Sequence, residues 1–295
     1  MNNLIFDIKN LSCKYPSSKH PVLKIEELQI EEGSIVFFIG ASGVGKSTIL
    51  ETMGLMNNTI VNESKTKLLF KPDKADSEDY TKLWSKPENY IANFRRKHLS
   101  FIFQTTNLFN NLSAFNNVSI TPLLNGTSIS EGKKRVKSIL AKILPELIQD
   151  KLITEISGGQ RQRLAFARAI VIDYTILFAD EPTGNLDWAN ANKLMSLLVA
   201  SVKQNSDDND SKRTAVIVSH DIALTIEYAD KIVLIEKKES NNDAGTFSLG
   251  KISNDSIFYK NNDIWETKTN RKLSKSQMSD YLQTELKNQA TENAN

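Results

Sequence analysis

The chain has 295 residues, of which 40% are hydrophobic, enough for one large domain or for one domain with an appendage. Its 37 basic and 35 acidic side chains leave a net charge of +2, so no overall field calls for nucleic acid. The single cysteine, Cys13, excludes an internal disulfide and fits a reducing compartment, with a small core residue as its simplest role. The segment Met1–Asp7 lacks a basic stretch followed by a long apolar one, so no signal peptide is expected. No apolar run approaches the roughly 20 residues that span a bilayer, and work at a membrane would need a partner to supply the spanning part.

Residues Leu4 to Ile30 read as strands with turns, because Leu23, Ile25 and Ile30 alternate with polar residues and Glu31-Glu32-Gly33 is a turn. Ser34–Ile39 is a short, continuously apolar run, as expected for a strand buried on both faces. Directly after it comes Gly40-Ala41-Ser42-Gly43-Val44-Gly45-Lys46-Ser47-Thr48, which fits the pattern G-x-x-x-x-G-K-[ST]. Glycines let such a loop curl so that successive backbone N–H groups point inward at phosphate oxygens. Lys46 can reach the terminal phosphates, the Ser47 hydroxyl is placed to ligate Mg²⁺, and the helix that follows adds its positive N-terminal dipole. Ile49, Leu50 and Met53 fall at helical spacing, so strand, glycine loop and helix occur in the expected order. Tyr15, before the turn-forming Pro16-Ser17-Ser18, then has two readings: a strand aromatic over the core, or a ring that stacks on a nucleotide base.

From Asn57 to Lys97 the pattern weakens, and Lys71–Asp79 reads as a charged surface excursion. Leu99–Phe103 is a strand that ends at Gln104. From Asn107 to Leu152 the period is helical, and Val136, Ile139, Leu140, Ile143 and Leu144 mark one face, beside a solvated cluster at Lys133, Lys134, Arg135 and Lys137. Ser157-Gly158-Gly159-Gln160 is a second glycine turn that opens a helix, hence a second potential anion site.

Thr175–Ala179 is another buried-strand run, closing on Asp180-Glu181. Two carboxylates beside a core are expensive to leave without a cation. Asp180 can hold Mg²⁺ through water, and Glu181 can polarise an attacking water. A polar loop, Gln204–Ser211, precedes the strand Thr214–Val218, which ends at Ser219-His220-Asp221. Ligands collect at the carboxyl ends of strands in doubly wound sheets, so His220 is a candidate phosphate or water contact. Lys231–Ile235 is the last strand of this series. After Lys238 the composition shifts. Glu239–Gly245 reads as a linker, Ser256–Tyr259 and Asp263–Trp265 as a small hairpin, and Met278, Tyr281, Leu282 and Leu286 as a terminal helix capped by Ser274 or Ser276.

With these motifs in this order, the sequence resembles the nucleotide-binding subunits of ABC (ATP-binding cassette) transporters from about Leu4 to Glu236. The phosphate loop, Gln104, Ser157-Gly158-Gly159-Gln160, Asp180-Glu181, Asn185-Leu186-Asp187 and His220 all correspond, with Ile156 where the family's signature usually has Leu. The resemblance implies an α/β fold: a P-loop NTPase (RecA-like) core with an antiparallel β subdomain and an inserted α-helical subdomain at about 105–165. The cassette would be residues 1–238, with 239–295 an accessory extension.

The resemblance also implies ATP and Mg²⁺ as ligands, and roles for particular residues. Tyr15 would stack on adenine, the loop Gly40–Thr48 would bind phosphates, and Ser47, Gln104 and Asp180 would hold Mg²⁺. Glu181 would orient water, with His220, Lys46 and Gln104 as its catalytic companions. Ser157, Gly158, Gly159 and Gln160 would meet the γ-phosphate held by a second subunit, and Asp187 would link the two sites. A homodimer of cassettes would then drive an integral membrane permease at the cytoplasmic face of the plasma membrane, with no nucleic acid bound.

Glu181–Asp187 and Phe101–Gln104 look more finely like the branch of lipoprotein-release, macrolide-export and cell-division FtsE-type ATPases. An FtsE-like regulator of cell-wall enzymes is the alternative within that branch. Soluble ABC proteins usually carry two cassettes or long coiled coils, and neither is visible here. The chain departs from the branch in the long charged segment Asn57–Phe94 and in the tail after Lys238. Leu108, Phe109, Leu112 and Phe115 are expected either to line a groove for the partner's cytoplasmic helix or to fill the helical core.

Overall fold

The structure is a computed structural model that describes residues 3–72, 77–144, 148–203, 212–242 and 245–291. The polar loop at 204–211, part of the charged excursion, part of the expected linker and the last residues lie outside these ranges. The chain divides into two compact units, Met1–Ala92 with Thr214–Asn295, and Asn93–Arg213.

The N-terminal part of the first unit runs β1 (Leu4–Cys13), β2 (Leu23–Glu31), β3 (Ile35–Ile39), α1 (Lys46–Met53), β4 (Ile60–Val61), β5 (Lys67–Phe70), β6 (Glu78–Asp79), α2 (Tyr80–Leu83) and α3 (Glu88–His98), which leads into the second unit. That unit holds β7 (Leu99–Ile102), α4 (Ala114–Leu124), α5 (Ile129–Ile143), α6 (Gly158–Ile170), β8 (Ile176–Asp180) and α7 (Trp188–Lys203). The first unit resumes with β9 (Thr214–Val218), α8 (Ile222–Tyr228), β10 (Lys231–Leu234), β11 (Glu236–Asn242), β12 (Gly245–Ile252), β13 (Ile257–Asn261), β14 (Ile264–Glu266), β15 (Lys272–Ser274) and α9 (Lys275–Thr291).

In the first unit β3 lies between β9 and β10, parallel to both. All five of its residues are buried, which is why its sequence is a continuous apolar run rather than an alternation. The sheet continues antiparallel from β10 through β13 and β14 to β15. A second sheet has the order β11-β12-β2-β1-β5-β6. Its β1–β2 register pairs Phe6 with Ile30 and Ile8 with Leu28, two apolar pairs on one face. Cys13 is buried there, its thiol pushed up to about 11 by burial, in keeping with a core role.

Two stretches differ from their sequence-based expectations. The stretch Asn57–Lys97, where the pattern weakens, contributes β5 to the second sheet, the expected excursion Lys71–Asp79 ends in β6, which pairs with β5, and Tyr80 just beyond it is fully buried against Phe6 and Phe70. Its aromatics override the surface character of the charges around them. Nor is the stretch around Glu239–Gly245 a linker: β11 and β12 form a hairpin, and β12 pairs in parallel with β2 from Gly250–Leu23 to Ile252–Ile25. The small hairpin and the terminal helix form as expected, with the Ser274 hydroxyl accepting the Gln277 N–H.

In the second unit β7 and β8 pair in parallel. Val136, Leu140 and Ile143 of α5 are buried, following the helical period of the sequence.

Candidate functional site

In the first unit the loop from Gly40 to Gly45 joins β3 to α1. Gly43 and Gly45 have φ of 77° and 102°, a left-handed backbone that a side chain would strain, and it turns the loop back into the helix. The Lys46 ammonium donates to the Gly40 and Ala41 carbonyls at 2.7 and 2.8 Å, which holds it across the curl of the loop.

Tyr15 is half-buried, and its hydroxyl donates to Glu51 at 2.6 Å and also lies 3.2 Å from Thr48 Oγ1, both on α1. Burial, and then the Glu51 carboxylate, push its phenol up to about 12. These bonds anchor the ring beside the helix that follows the loop, an arrangement both of its readings share.

His220 is exposed two residues beyond Val218, which is level with Phe38 in the β3–β9 register. The Ser219 N–H donates to the Phe38 carbonyl at 3.2 Å. The loop and His220 therefore leave the same edge of neighbouring strands, about 5 Å apart. Asp221, next in sequence, caps α8 by accepting the Leu224 N–H.

In the second unit the β7–β8 register sets Ile102 level with Ala179. Gln104 and Glu181 each lie two residues past that level and Asp180 one, so all three gather at one edge of the parallel pair. Phe101 stacks on Phe178 at 5.4 Å and fixes the two strands' side chains together. Gln104 is exposed, Asp180 half-buried and Glu181 buried. Glu181 has φ 48°, unusual for a residue with a side chain.

Helix α6 begins at the glycine turn. Ser157 and Gln160 cap it reciprocally: the Ser157 hydroxyl accepts the Gln160 N–H and the Gln160 amide oxygen accepts the Ser157 N–H. A Cβ on Gly159 would sit 3.2 Å from Leu186, so this turn packs closely on the Asn185-Leu186-Asp187 segment. Asp187 caps α7 by accepting the Asn190 N–H, and that bond holds its carboxyl below the usual range. Arg163 of α6 reaches Asn190 at 2.9 Å, which links the two helix starts.

Sequence reasoning missed three supporting residues. Gln162, one helical turn into α6 and buried, donates to the Glu181 and Pro182 carbonyls at 3.3 and 2.6 Å. Arg168 holds the segment after Gln104 through the carbonyls of Thr106 and Asn107. Glu51 holds Tyr15. All three act through backbone atoms or other side chains, so no spacing motif announces them. Of the four apolar residues after Gln104, Phe109 is 50% exposed and the others are half-buried.

The ABC transporter family model matches residues 23–184. The chain belongs to the ABC transporter family. This ABC protein is 34% identical over 235 residues to the lipoprotein-releasing system ATP-binding protein LolD of Pseudoalteromonas translucida, covering 79% of this chain and 91% of that protein. It is 31% identical over 234 residues to the bacitracin export ATP-binding protein BceA of Halalkalibacterium halodurans, covering 79% and 85%. Among solved structures, the dimeric MJ0796 cassette is 29% identical, with a TM-score of 0.65 over 78% of this chain and 93% of that one. A second MJ0796 structure, a dimeric post-hydrolysis state bound to ADP and Pi, has a TM-score of 0.64. This ABC protein is accordingly an ATP-hydrolysing α/β P-loop subunit of a transporter.

Proposed function

We propose that two copies of this chain close head to tail around two ATP molecules and that closing and opening work a separate membrane-spanning partner. The partner would be of the lipoprotein-release or macrolide-export kind, transmitting force across the membrane from a cassette docked on its cytoplasmic face. The observation that carries the reading is the complete set of cassette motifs, in which every catalytic position holds the residue type hydrolysis needs. That completeness favours two identical working sites over one working and one degenerate site. The dimeric MJ0796 structures and the names of the LolD and BceA relatives support it. No helix among the described residues is long and apolar enough to cross a membrane.

In this reading residues 1–238 form the cassette, about 105–165 its helical part, and 239–295 an accessory extension. The loop N–H groups and Lys46 hold the ATP phosphates, Tyr15 lies against adenine, and His220 contacts the γ-phosphate. Glu181 accepts a hydrogen bond from the attacking water and takes its proton as the water oxygen bonds to the γ-phosphorus and the bond from that phosphorus to the β–γ bridging oxygen breaks, leaving ADP and phosphate. Ser157, Gly158, Gly159 and Gln160 meet the γ-phosphate held by the second copy, and Asp187 lies at the link between the copies. Ser47, Gln104 and Asp180 offer a hydroxyl, an amide oxygen and a carboxylate, the oxygen donors Mg²⁺ takes, and two of them share the β7–β8 edge. Mg²⁺, when bound, neutralises phosphate charge.

Glu181→Gln tests the reading. The variant should lose turnover by at least about a hundredfold yet elute with ATP as a dimer by light scattering, while the wild type with ADP is a monomer. Wild-type turnover by the variant, or no dimer with ATP, would overturn it.

A further inference from the structure

The tail after Lys238, which the family motifs do not use, touches the phosphate loop at two separate places. The Ala41 N–H donates to the side-chain oxygen of Gln289 at 3.1 Å, across 248 residues of sequence. Gln289 is only 5% exposed although it lies near the end of α9, where a polar side chain is ordinarily solvated. The helix is held in place well before that point: Met278 and Leu282 are fully buried, and Tyr281 packs its ring on Phe258 at 5.5 Å and under Arg271 at 5.2 Å. Gln289 is thus delivered to the loop by a fixed element.

The second contact is backbone on backbone. A Cβ built on Gly250 of β12 would lie 2.0 Å from the Val44 carbonyl oxygen and 2.8 Å from Ile235, so the strand passes the loop with room for hydrogen alone. Beyond it, Phe247 stacks on His20 with 4.2 Å between ring centroids and 9° between planes. The tail therefore brackets Ser42-Gly43, contacting Ala41 before them and Val44 after them. A loop rich in left-handed glycines has other conformations open to it, and phosphate affinity depends on how firmly the N–H array is held in one of them.

We propose that Gln289 is a positioning residue for nucleotide binding: by holding the Ala41 N–H it fixes the entry to the phosphate loop, and the tail is an integral part of the ATP site's architecture. This rests on the reading that Gly40–Thr48 binds the phosphates. Gln289→Leu keeps most of the buried volume and removes the acceptor. An amide hydrogen bond of ordinary net strength corresponds to roughly three- to tenfold in an equilibrium constant. Measured on the full-length protein, Gln289→Leu should raise the Kd for a fluorescent ATP analogue, and the KM for ATP, by that factor. The rise in KM should exceed any fall in kcat.

A residue that served stability alone would lower the melting temperature and leave Kd at 20 °C unchanged. That outcome overturns the proposal. Should Gln289→Leu fail to fold, a chain ending at Asn288 keeps Met278, Tyr281 and Leu282 and must show the same loss of affinity; wild-type affinity there also overturns it. Lys46→Ala separates this from the underlying reading, because undiminished analogue binding by that variant removes the phosphate loop itself, whatever Gln289 does.

Discussion

At the scale of single residues, the carboxylate that would activate water stands on a backbone the chain does not adopt readily. A left-handed conformation costs a residue with a side chain about 1–2 kcal/mol, and Glu181 has it, with φ 48°. Gln162 offsets this by donating to the Glu181 and Pro182 carbonyls from inside α6. The same helix opens at the Ser157 cap, so one rigid element sets both the glycine turn and the turn that aims the carboxylate. Replacing Gln162 with Leu takes the donor from the buried Pro182 carbonyl, while the Glu181 carbonyl keeps the Gly184 N–H, a loss of about 1–3 kcal/mol. We expect a melting temperature lower by a few degrees and a kcat lower by roughly tenfold, with KM for ATP changed less. Steady-state kinetics beside a thermal melt checks this, and a variant that loses stability but keeps wild-type kcat would show that Gln162 has no part in aiming Glu181. Lys46, Ser47, Gln104, Asp180, Glu181 and His220 could be singled out in the sequence because each occupies a fixed offset in a motif or follows an apolar run. Gln162, Arg168 and Glu51 were not, since a side chain that holds another group in place is bound by no spacing rule.

At the scale of elements, the buried parallel strands β3, β8 and β9 were plain in the sequence because both their faces meet the core, which makes Ile35–Ile39, Ile176–Ala179 and Ala215–Val218 continuous apolar runs. The hairpin of β11 and β12 was hidden for the opposite reason. Glu236–Asn242 pairs with β12 by backbone alone at the edge of the sheet, and an edge strand can be wholly polar. The charged segment hid β5 in a similar way: Lys67 reads as a surface charge, yet its ammonium lies 2.5 Å from Asp7 on the neighbouring strand β1. Asp7 is nearly buried, which by itself would raise its carboxyl; the hydrogen bond and charge of Lys67 outweigh burial and hold it below the ordinary 3.8. The folded state therefore binds that proton more weakly than the unfolded chain does. The resulting stability is present in full above pH 3.8, declines as the pH falls below it, and vanishes once the pH passes the folded value. Asp7→Asn should lower the urea midpoint at pH 7, and the gap from the wild type should narrow progressively below about pH 4. A gap that stays constant from pH 7 to pH 3 would mean the pair contributes through packing alone.

At the scale of the whole chain, the tail is built into the sheets of the first unit. The LolD match covers 91% of that protein and 79% of this chain, so a part of this chain lies outside that match. In this chain, however, the tail occupies places on which the first unit depends. Strand β12 covers the edge of β2, and β13 covers the edge of β10, the neighbour of β3. Ile252, Ile257, Phe258, Trp265, Met278 and Leu282 are each no more than 1% exposed, covered in part by the tail itself, as where Phe258 meets Tyr281, and in part where α9 packs on α8 and the tail strands pair with β2 and β10. Six such side chains at about 1.5–3 kcal/mol each amount to about 9–18 kcal/mol of burial, comparable with the whole margin of a typical domain. A chain ending at Lys238 would lose that burial and uncover two strand edges, so it should melt at least about 10 °C lower or lose its cooperative transition, and it should aggregate through the exposed edges of β2 and β10. Differential scanning calorimetry with light scattering on the truncated and full-length proteins measures both effects. A truncated chain that melts with the wild type and stays monomeric would make the tail a separate appendage, and the parallel pairing of β12 with β2 would then contribute nothing to the stability of the first unit.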